Sequence, residues 1–407
     1  MSATGGPRVV LATRIYPPDQ AAAAFRLRAL VGALQERGAR VTVLTTRPAA
    51  TGVSEPVANS ATVRRWPVLR DRSGYVRGYL PYLSFDLPLT LRILAVASPE
   101  VVVVEPPPTT GAVVRAVLAL RGRRQRHRIP YVYYAADVWS DASAATKAPR
   151  QVVTVLRLAE RFALAGAQEV IAVSEGVAER VRALGARSVH VVPNGVDVRV
   201  FRPGSEESHA DQRVHDPADM PPRPFLLYAG TASEWQGAEI FIEAMHQVLR
   251  RHPAASLVFL GHGSAWSRLR RLAGQLPRGA VELRPLVEPP VAAAWHRAAA
   301  AALASVRPGV DYDFAYPTKV LAALACGTPV VYAGPGPAAA DLTEHRLGTV
   351  VPYDVGAVAD AMVATLEAAP DAEAAERRVE WVAARRSLDA SARHAARVVL
   401  EAARPAR

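Results

Sequence analysis

RVVLATRIYPPDQAAAAFRLRALVGALQERGARVTVL, residues 8–44, decides the architecture of this chain. Residues 8–13 are an apolar run of strand length, and residues 14–20 form a proline-containing loop. Across residues 21–37, Phe25, Ala29, Leu30, Ala33 and Leu34 recur at helical spacing, and Gly38 is the residue type that most readily ends a helix. Residues 41–44 are strand-like again. A strand, a helix and a second strand in that order imply a parallel pair, because parallel neighbours need a crossover of about this length.

The pattern continues outward. Residues 101–104, 131–135, 170–173 and 190–192 read as further strands, with a proline-rich turn at 106–108 and a helix over 112–120. These strands are apolar throughout rather than alternating, which suits a sheet covered on both faces. Residues 203–223, PGSEESHADQRVHDPADMPPR, are polar and proline-containing, so a linker is expected at 204–223, after a first domain of 1–203. A second cycle follows over 224–379, with strands at 225–228, 256–260, 281–284, 301–305 and 330–333 and helices at 238–251 and 319–325. Residues 372–403 read as helical, and 380–407 are expected to pack back on the first domain. The expectation is an α/β protein with two doubly wound parallel sheets facing a cleft, their ligands at the carboxyl ends of the strands.

Length and composition agree. A chain of 407 residues exceeds what one ordinary core organises, and half of it is hydrophobic, which excludes a disordered class. The single cysteine, Cys326, rules out an internal disulfide and argues against a Cys-based metal centre. No signal peptide and no spanning helix are read, so the expected location is cytoplasmic. The net charge of +12 fits either a polyanionic partner or an Ala- and Arg-rich composition that needs no partner. No nucleic-acid-binding module accompanies it, so nucleic acid is not expected.

Several constellations can carry chemistry. Glycine at the strand end in Tyr228-Ala-Gly-Thr231 suits a phosphate-holding turn, or turn geometry alone. Pro317-Thr-Lys319 opens a helix with a cation in its first turn, against the helix dipole. A bound diphosphate would justify that charge, and a solvated lysine is the plainer reading. Asp137 lies just past a strand end, where it either faces the cleft or, like Ser140, caps the next segment. Arg121–Arg128 holds five arginines in eight residues, and upstream lie Tyr75, Tyr79, Tyr82 and Phe85. The two segments read either as a peripheral membrane contact or as a solvated basic loop beside packing aromatics.

In order, these segments resemble the GT-B-fold glycosyltransferases of family 4, and within it the WbuB-type enzymes that build surface polysaccharides. The matches run from Val9 to about Leu366: Tyr16-Pro-Pro-Asp19 with Arg26, Asp137-Val-Trp139, Val173-Ser-Glu-Gly176, Pro193–Asp197 with Phe201–Pro203, Tyr228–Thr231 with Gln236-Gly237, Leu260-Gly-His-Gly263, and Pro317–Val331. The resemblance implies two Rossmann-like domains. It implies retaining transfer from an NDP-sugar to a saccharide, lipid-linked or natural-product acceptor, with no cofactor and usually no metal. Residue by residue it implies Lys319, Asp137 and Arg26 as catalytic; Gly230, Thr231, Gln236, Gly263, Thr318, Lys319 and Ala322 on the donor; and Pro18, Asp19, Asn194 and Glu175 on the acceptor side. Two departures stand out. Thr231 and Gln236 replace basic residues of the phosphate loop. Ala322 replaces the second of two glutamates, the one that would hold the donor ribose, and the first falls at Phe314. A catalytically weak binding or assembly subunit is therefore the alternative.

Overall fold

The computed structural model describes residues 6–19, 21–48, 61–70, 76, 78–125, 128–140, 149–204, 220–221, 224–310 and 312–404. It divides into two compact units, one of residues up to Asn194 together with the segment from Leu388, the other of Gly195–Ser387. The expected linker lies almost wholly outside the described residues.

The first unit is built on seven parallel strands: β1 (Arg8–Ala12), β2 (Arg40–Thr46), β3 (Thr62–Trp66), β4 (Val101–Val104), β5 (Tyr131–Ala135), β6 (Glu169–Ala172) and β7 (Val189–Val191), in the order β3-β2-β1-β4-β5-β6-β7. Val9 aligns with Val41 on one side and Val101 on the other. One face of the sheet, with Val9, Leu11, Val41, Val43, Val101 and Val103, packs in one cluster with α1 (Ala22–Glu36) and with the last helix of the chain, Leu388–Ala402. Helices α2 (Tyr79–Ala95), α3 (Pro108–Gln125) and α4 (Arg150–Gly166) lie together, α3 touching both others. A Cβ on Gly111 of α3 would fall 2.6 Å from the Tyr133 ring of β5 and 2.8 Å from Ala163 of α4, so glycine lets the three elements close up. Helix α5 (Glu175–Ala183) completes this unit before β7.

The second unit has six parallel strands: β8 (Phe225–Thr231), β9 (Ser256–His262), β10 (Val281–Arg284), β11 (Ala301–Ser305), β12 (Val330–Ala333) and β13 (Gly348–Val351), in the order β10-β9-β8-β11-β12-β13. Between them run α6 (Glu239–Arg251), α7 (Trp266–Ala273), α8 (Pro289–Ala298), α9 (Thr318–Ala325) and α10 (Pro337–Glu344), followed by α11 (Val355–Glu367) and α12 (Ala372–Arg385). The tail is thus two helices. They part at Arg386–Ser387, where the Val196 amide donates to the Arg386 carbonyl at 2.9 Å, and α13 (Leu388–Ala402) returns to the first unit.

Candidate functional site

In the second unit the candidate donor residues gather at the carboxyl end of β8. Strands β8 and β9 stay paired to their last residues, Gly230 against Gly261 and Thr231 against His262. A Cβ on Gly261 would sit 2.1 Å from the Gly230 carbonyl oxygen, and one on Gly263 2.0 Å from that of Ala232. The glycines of the Leu260–Gly263 turn therefore let two backbones touch. The Gly230–Thr231 segment is a strand end, and the next amide, Ala232, donates to the His262 carbonyl at 2.8 Å. The expected phosphate-holding turn between strand and helix begins only after it.

Lys319 is the second residue of α9, after Thr318. Its Nζ donates to the Thr231 carbonyl at 2.9 Å and lies 3.5 Å from the centroid of the buried Tyr228 ring. Among the described residues no carboxylate pairs with it, and burial lowers its pKa well below the ordinary lysine value. The cation thus sits between a carbonyl dipole and a ring face, with its counter-charge missing. A Cβ on Gly230 would come 3.6 Å from Lys319 Cε, so Gly230 leaves this stem its room.

Two donor-side expectations change. Gln236 is buried, and its side-chain oxygen accepts from the Ser233 amide at 2.9 Å, which closes the loop after β8. Ala322 is only 9% exposed and packs in an apolar cluster with Val320, Leu321 and Tyr332, which a carboxylate there would disrupt. Sequence reading missed the aromatic stack in which Phe314 takes part: Trp235 lies 4.7 Å from Tyr312, and Tyr312 lies 5.0 Å from Phe314. It also missed buried Glu239, which pairs with Arg307 and Arg268 and fixes the start of α6.

In the first unit, Arg26 of α1 is buried and paired with Glu105, just past β4, while its Nη1 donates to Asn194 Oδ1 at 3.2 Å. Burial acts to lower the Arg26 pKa, and Glu105, with Tyr134 and Asp137, more than offsets it. Arg26 is therefore a neutralised, positioning cation rather than an open one. Asp137 is exposed just past β5, within electrostatic reach of Arg26. Thr13 Oγ1 donates to the other oxygen of Glu105 at 3.0 Å. Arg14, also buried, lies 4.2 Å from the Tyr82 ring and 5.5 Å from that of Trp139, and its Nη1 donates to the Val76 carbonyl at 3.0 Å. Burial lowers the Arg14 pKa, opposed by Tyr82, Asp86 and Glu105. Asn194, Arg26, Glu105, Arg14 and Trp139 thus form one network at the carboxyl ends of β1, β4 and β5.

Other expectations separate from this network. Pro18 follows a cis Pro17–Pro18 bond, and half-buried Asp19 sits near Arg70 and Arg65; burial raises its carboxyl pKa and the two arginines counter it. Glu175 is exposed at the first turn of α5, where Ser174 accepts from the Val177 amide at 3.2 Å, so this motif is a helix cap. The buried carboxylate of Glu160 accepts from the amides of Trp139 and Ser140 at 2.9 and 3.0 Å. The expected membrane segments also change. Arg121 is buried and donates to the Ile93 and Val96 carbonyls at 2.7 and 2.9 Å, and Phe85 is fully buried. Tyr75 and residues 126–127 lie outside the described residues. Among the described residues no helix is long and apolar enough to cross a membrane, and no three His, Cys, Asp or Glu side chains converge to hold a metal ion.

Two doubly wound parallel sheets, with polar networks at the carboxyl ends of their strands, define the GT-B fold. Residues 22–195 match the family model of the glycosyl transferase 4-like domain, and residues 223–368 that of glycosyl transferases group 1. The chain is a glycosyltransferase. Solved structures agree in fold. Sucrose-phosphate synthase from Thermosynechococcus elongatus is 18% identical with a TM-score of 0.71, covering 96% of this chain and 98% of that one. Anabaena HepE in complex with UDP-glucose is 17% identical with a TM-score of 0.66, covering 97% and 99%. WaaG, a glycosyltransferase involved in lipopolysaccharide biosynthesis, is 16% identical with a TM-score of 0.70, covering 96% and 99%. No curated protein sequence matches the chain significantly.

Proposed function

We propose that this glycosyltransferase takes a sugar from a nucleoside diphosphate sugar bound by the second unit. The sugar goes, with retained anomeric configuration, to a saccharide, lipid-linked or natural-product acceptor bound by the first unit. Membership of the WbuB-type subgroup, which tolerates Thr231 and Gln236 where other members carry basic residues, is part of this reading. The observation that carries the donor assignment is Lys319, a basic side chain with no carboxylate partner among the described residues, at the carboxyl end of β8. HepE, a structural neighbour of the same fold, is seen with UDP-glucose. In the reaction the bond from the anomeric carbon to the diphosphate oxygen breaks and its electron pair leaves with the diphosphate. The acceptor hydroxyl oxygen bonds to that carbon, and its proton ends on the leaving group. Lys319 stabilises the developing anion, with the opening turn of α9 at Thr318 beside it. The Arg26–Glu105–Asn194 network holds the acceptor end of the first unit in shape, and Asp137 faces the acceptor. No cofactor beyond the donor is invoked.

The test is a thermal-shift panel of UDP, GDP, TDP and their sugars, followed by donor-hydrolysis assays. A matched diphosphate at a hundredfold excess over its Kd should stabilise the fold by about 2.7 kcal/mol. No response to any nucleotide would refute the donor assignment. Ala322, which cannot hold a ribose hydroxyl, favours a second reading of a weakly active binding subunit. Tight nucleotide binding without transfer or hydrolysis would decide for it.

A further inference from the structure

The outward side of the α2–α3–α4 layer has an unusual make-up. Leu80, Leu83, Leu87 and Leu91 of α2 are 69%, 44%, 66% and 71% exposed. Their spacing places them in one stripe, roughly 16 Å long at the helical rise. On α4, Val155, Leu158 and Phe162 repeat the arrangement, all exposed. Helix α3 runs between the two stripes and faces outward with Ala116, Ala119 and Leu120, so the layer is continuous. Eight of the twelve large apolar side chains exposed among the described residues lie on these three helices. Exposed Trp66 and Leu69 extend the stripe of α2: Arg92 of α2 lies 5.9 Å from the Trp66 ring, and the Leu69 amide donates to Ser84 Oγ at 2.9 Å. Patches of this extent mark an interaction surface rather than ordinary solvent exposure.

Charge names the partner. The three helices contain two acids, Asp86 and Glu160, and both are buried, taken up by Thr109 and Thr110 and by the Trp139 and Ser140 amides. Among the described side chains of these helices the exposed charged residues are arginines, including Arg123, Arg150 and Arg161. A second copy docked here by a two-fold axis would set these arginines against their own counterparts. An anionic lipid surface meets both requirements, accepting the leucines at the acyl boundary and the guanidinium groups at the headgroups. Tyr82, in the first turns of the same α2, lies under Arg14 of the candidate acceptor network, so the apolar stripe runs up to that network within one unit.

We propose that the outward faces of α2, α3 and α4 seat this enzyme on an anionic bilayer. Of the Arg121–Arg128 segment the surface takes in only exposed Arg123 at the end of α3, Arg121 being internal, and the inference does not depend on the donor assignment. Full-length protein is sedimented with phosphatidylcholine vesicles and with mixed phosphatidylcholine–phosphatidylglycerol vesicles at low and high salt. Binding is expected to the anionic vesicles only and to weaken with salt. Arg157→Gln with Arg161→Gln should lower the partition coefficient on the order of 30-fold. Leu87→Ser with Leu91→Ser should lower it roughly 10-fold or more, while Arg393→Gln with Arg397→Gln on the exposed side of α13 leaves it unchanged. In the unsubstituted protein, brominated phosphatidylglycerol should quench a part of the emission that Trp66→Phe removes. Absence of binding at low salt, indifference to the leucine pair, or no quenching at Trp66 would overturn the proposal. So would a dimer in free solution that the leucine pair dissociates. UDP binding, measured in parallel without lipid, reads the second unit and separates this failure from a failure of the donor assignment.

Discussion

Replacing Lys319 by methionine removes the ammonium group while keeping an unbranched stem of similar length. In the free enzyme two effects oppose each other. The loss of the cation–π contact with Tyr228 and of the hydrogen bond to the exposed Thr231 carbonyl costs about 1 kcal/mol. Against that, a desolvated cation facing the helix dipole disappears. The folded pKa of Lys319 lies below its unfolded value, so the penalty it imposes is full at low pH and relieved as pH rises towards the unfolded lysine pKa. The methionine variant should therefore be at least as stable as the parent at pH 7 by urea titration and gain most at acidic pH. Catalysis behaves otherwise. A cation stabilising the departing diphosphate is worth about 3 kcal/mol, so kcat/KM should fall on the order of 10²-fold, mostly in kcat. Donor binding restores the missing counter-charge and should raise the pKa of Lys319. Titration calorimetry over a pH series in buffers of different ionisation enthalpy should then show a window of proton uptake by the parent that the variant lacks. A kcat/KM within threefold of the parent, measured with an established donor, would refute the role of Lys319.

Three further substitutions probe the framework. Ala322→Glu places a carboxylate in an apolar cluster where burial raises its pKa, so the loss of stability should be larger at pH 8 than at pH 4.5 in paired urea titrations. Glu105→Ala strips the buried Arg26 of its counter-ion and should cost about 3–5 kcal/mol by denaturant unfolding, with a decreased midpoint and an unchanged m-value. Buried His296 has a pKa lowered to about 4 by desolvation, with Arg297 and Lys319 adding to it. The parent should lose about 3 kcal/mol as pH falls from 6.5 to 4, and His296→Gln should flatten that part of the stability–pH profile.

The strands were legible where both their faces are buried. Val101–Val104 and Tyr131–Ala135 are apolar at every position and could be read directly. Edge strand β3, TVRRW, alternates exposed and half-buried residues and carries two arginines, so no apolar run announced it. Helix α2 escaped because Pro81 and Pro88 argue against a helix, and its aromatic residues read as a surface segment. In the candidate site, Lys319, Gly230 and Thr231, which lie together in the structure, were legible as candidates because their motifs are local in sequence. Glu105, 79 residues from Arg26, and Glu160, 20 residues from Ser140, act through contacts that spacing does not encode. The same distance hides the pairing that turns Arg26 from an open cation into a neutralised one.

The return of α13 bears on how the chain comes off the ribosome. Ala392, Ala395, Ala396, Val398, Val399 and Ala402 belong to the core cluster that also holds Leu27 and Leu30 of α1. The unit that holds β1 therefore stays incomplete until α13 has been synthesised, whereas Gly195–Ser387 is continuous and closes its own core earlier. During translation the apolar sides of α1 and of the first sheet wait for their cover. For this unit α13 ends the window in which a nascent chain is open to aggregation and to chaperones.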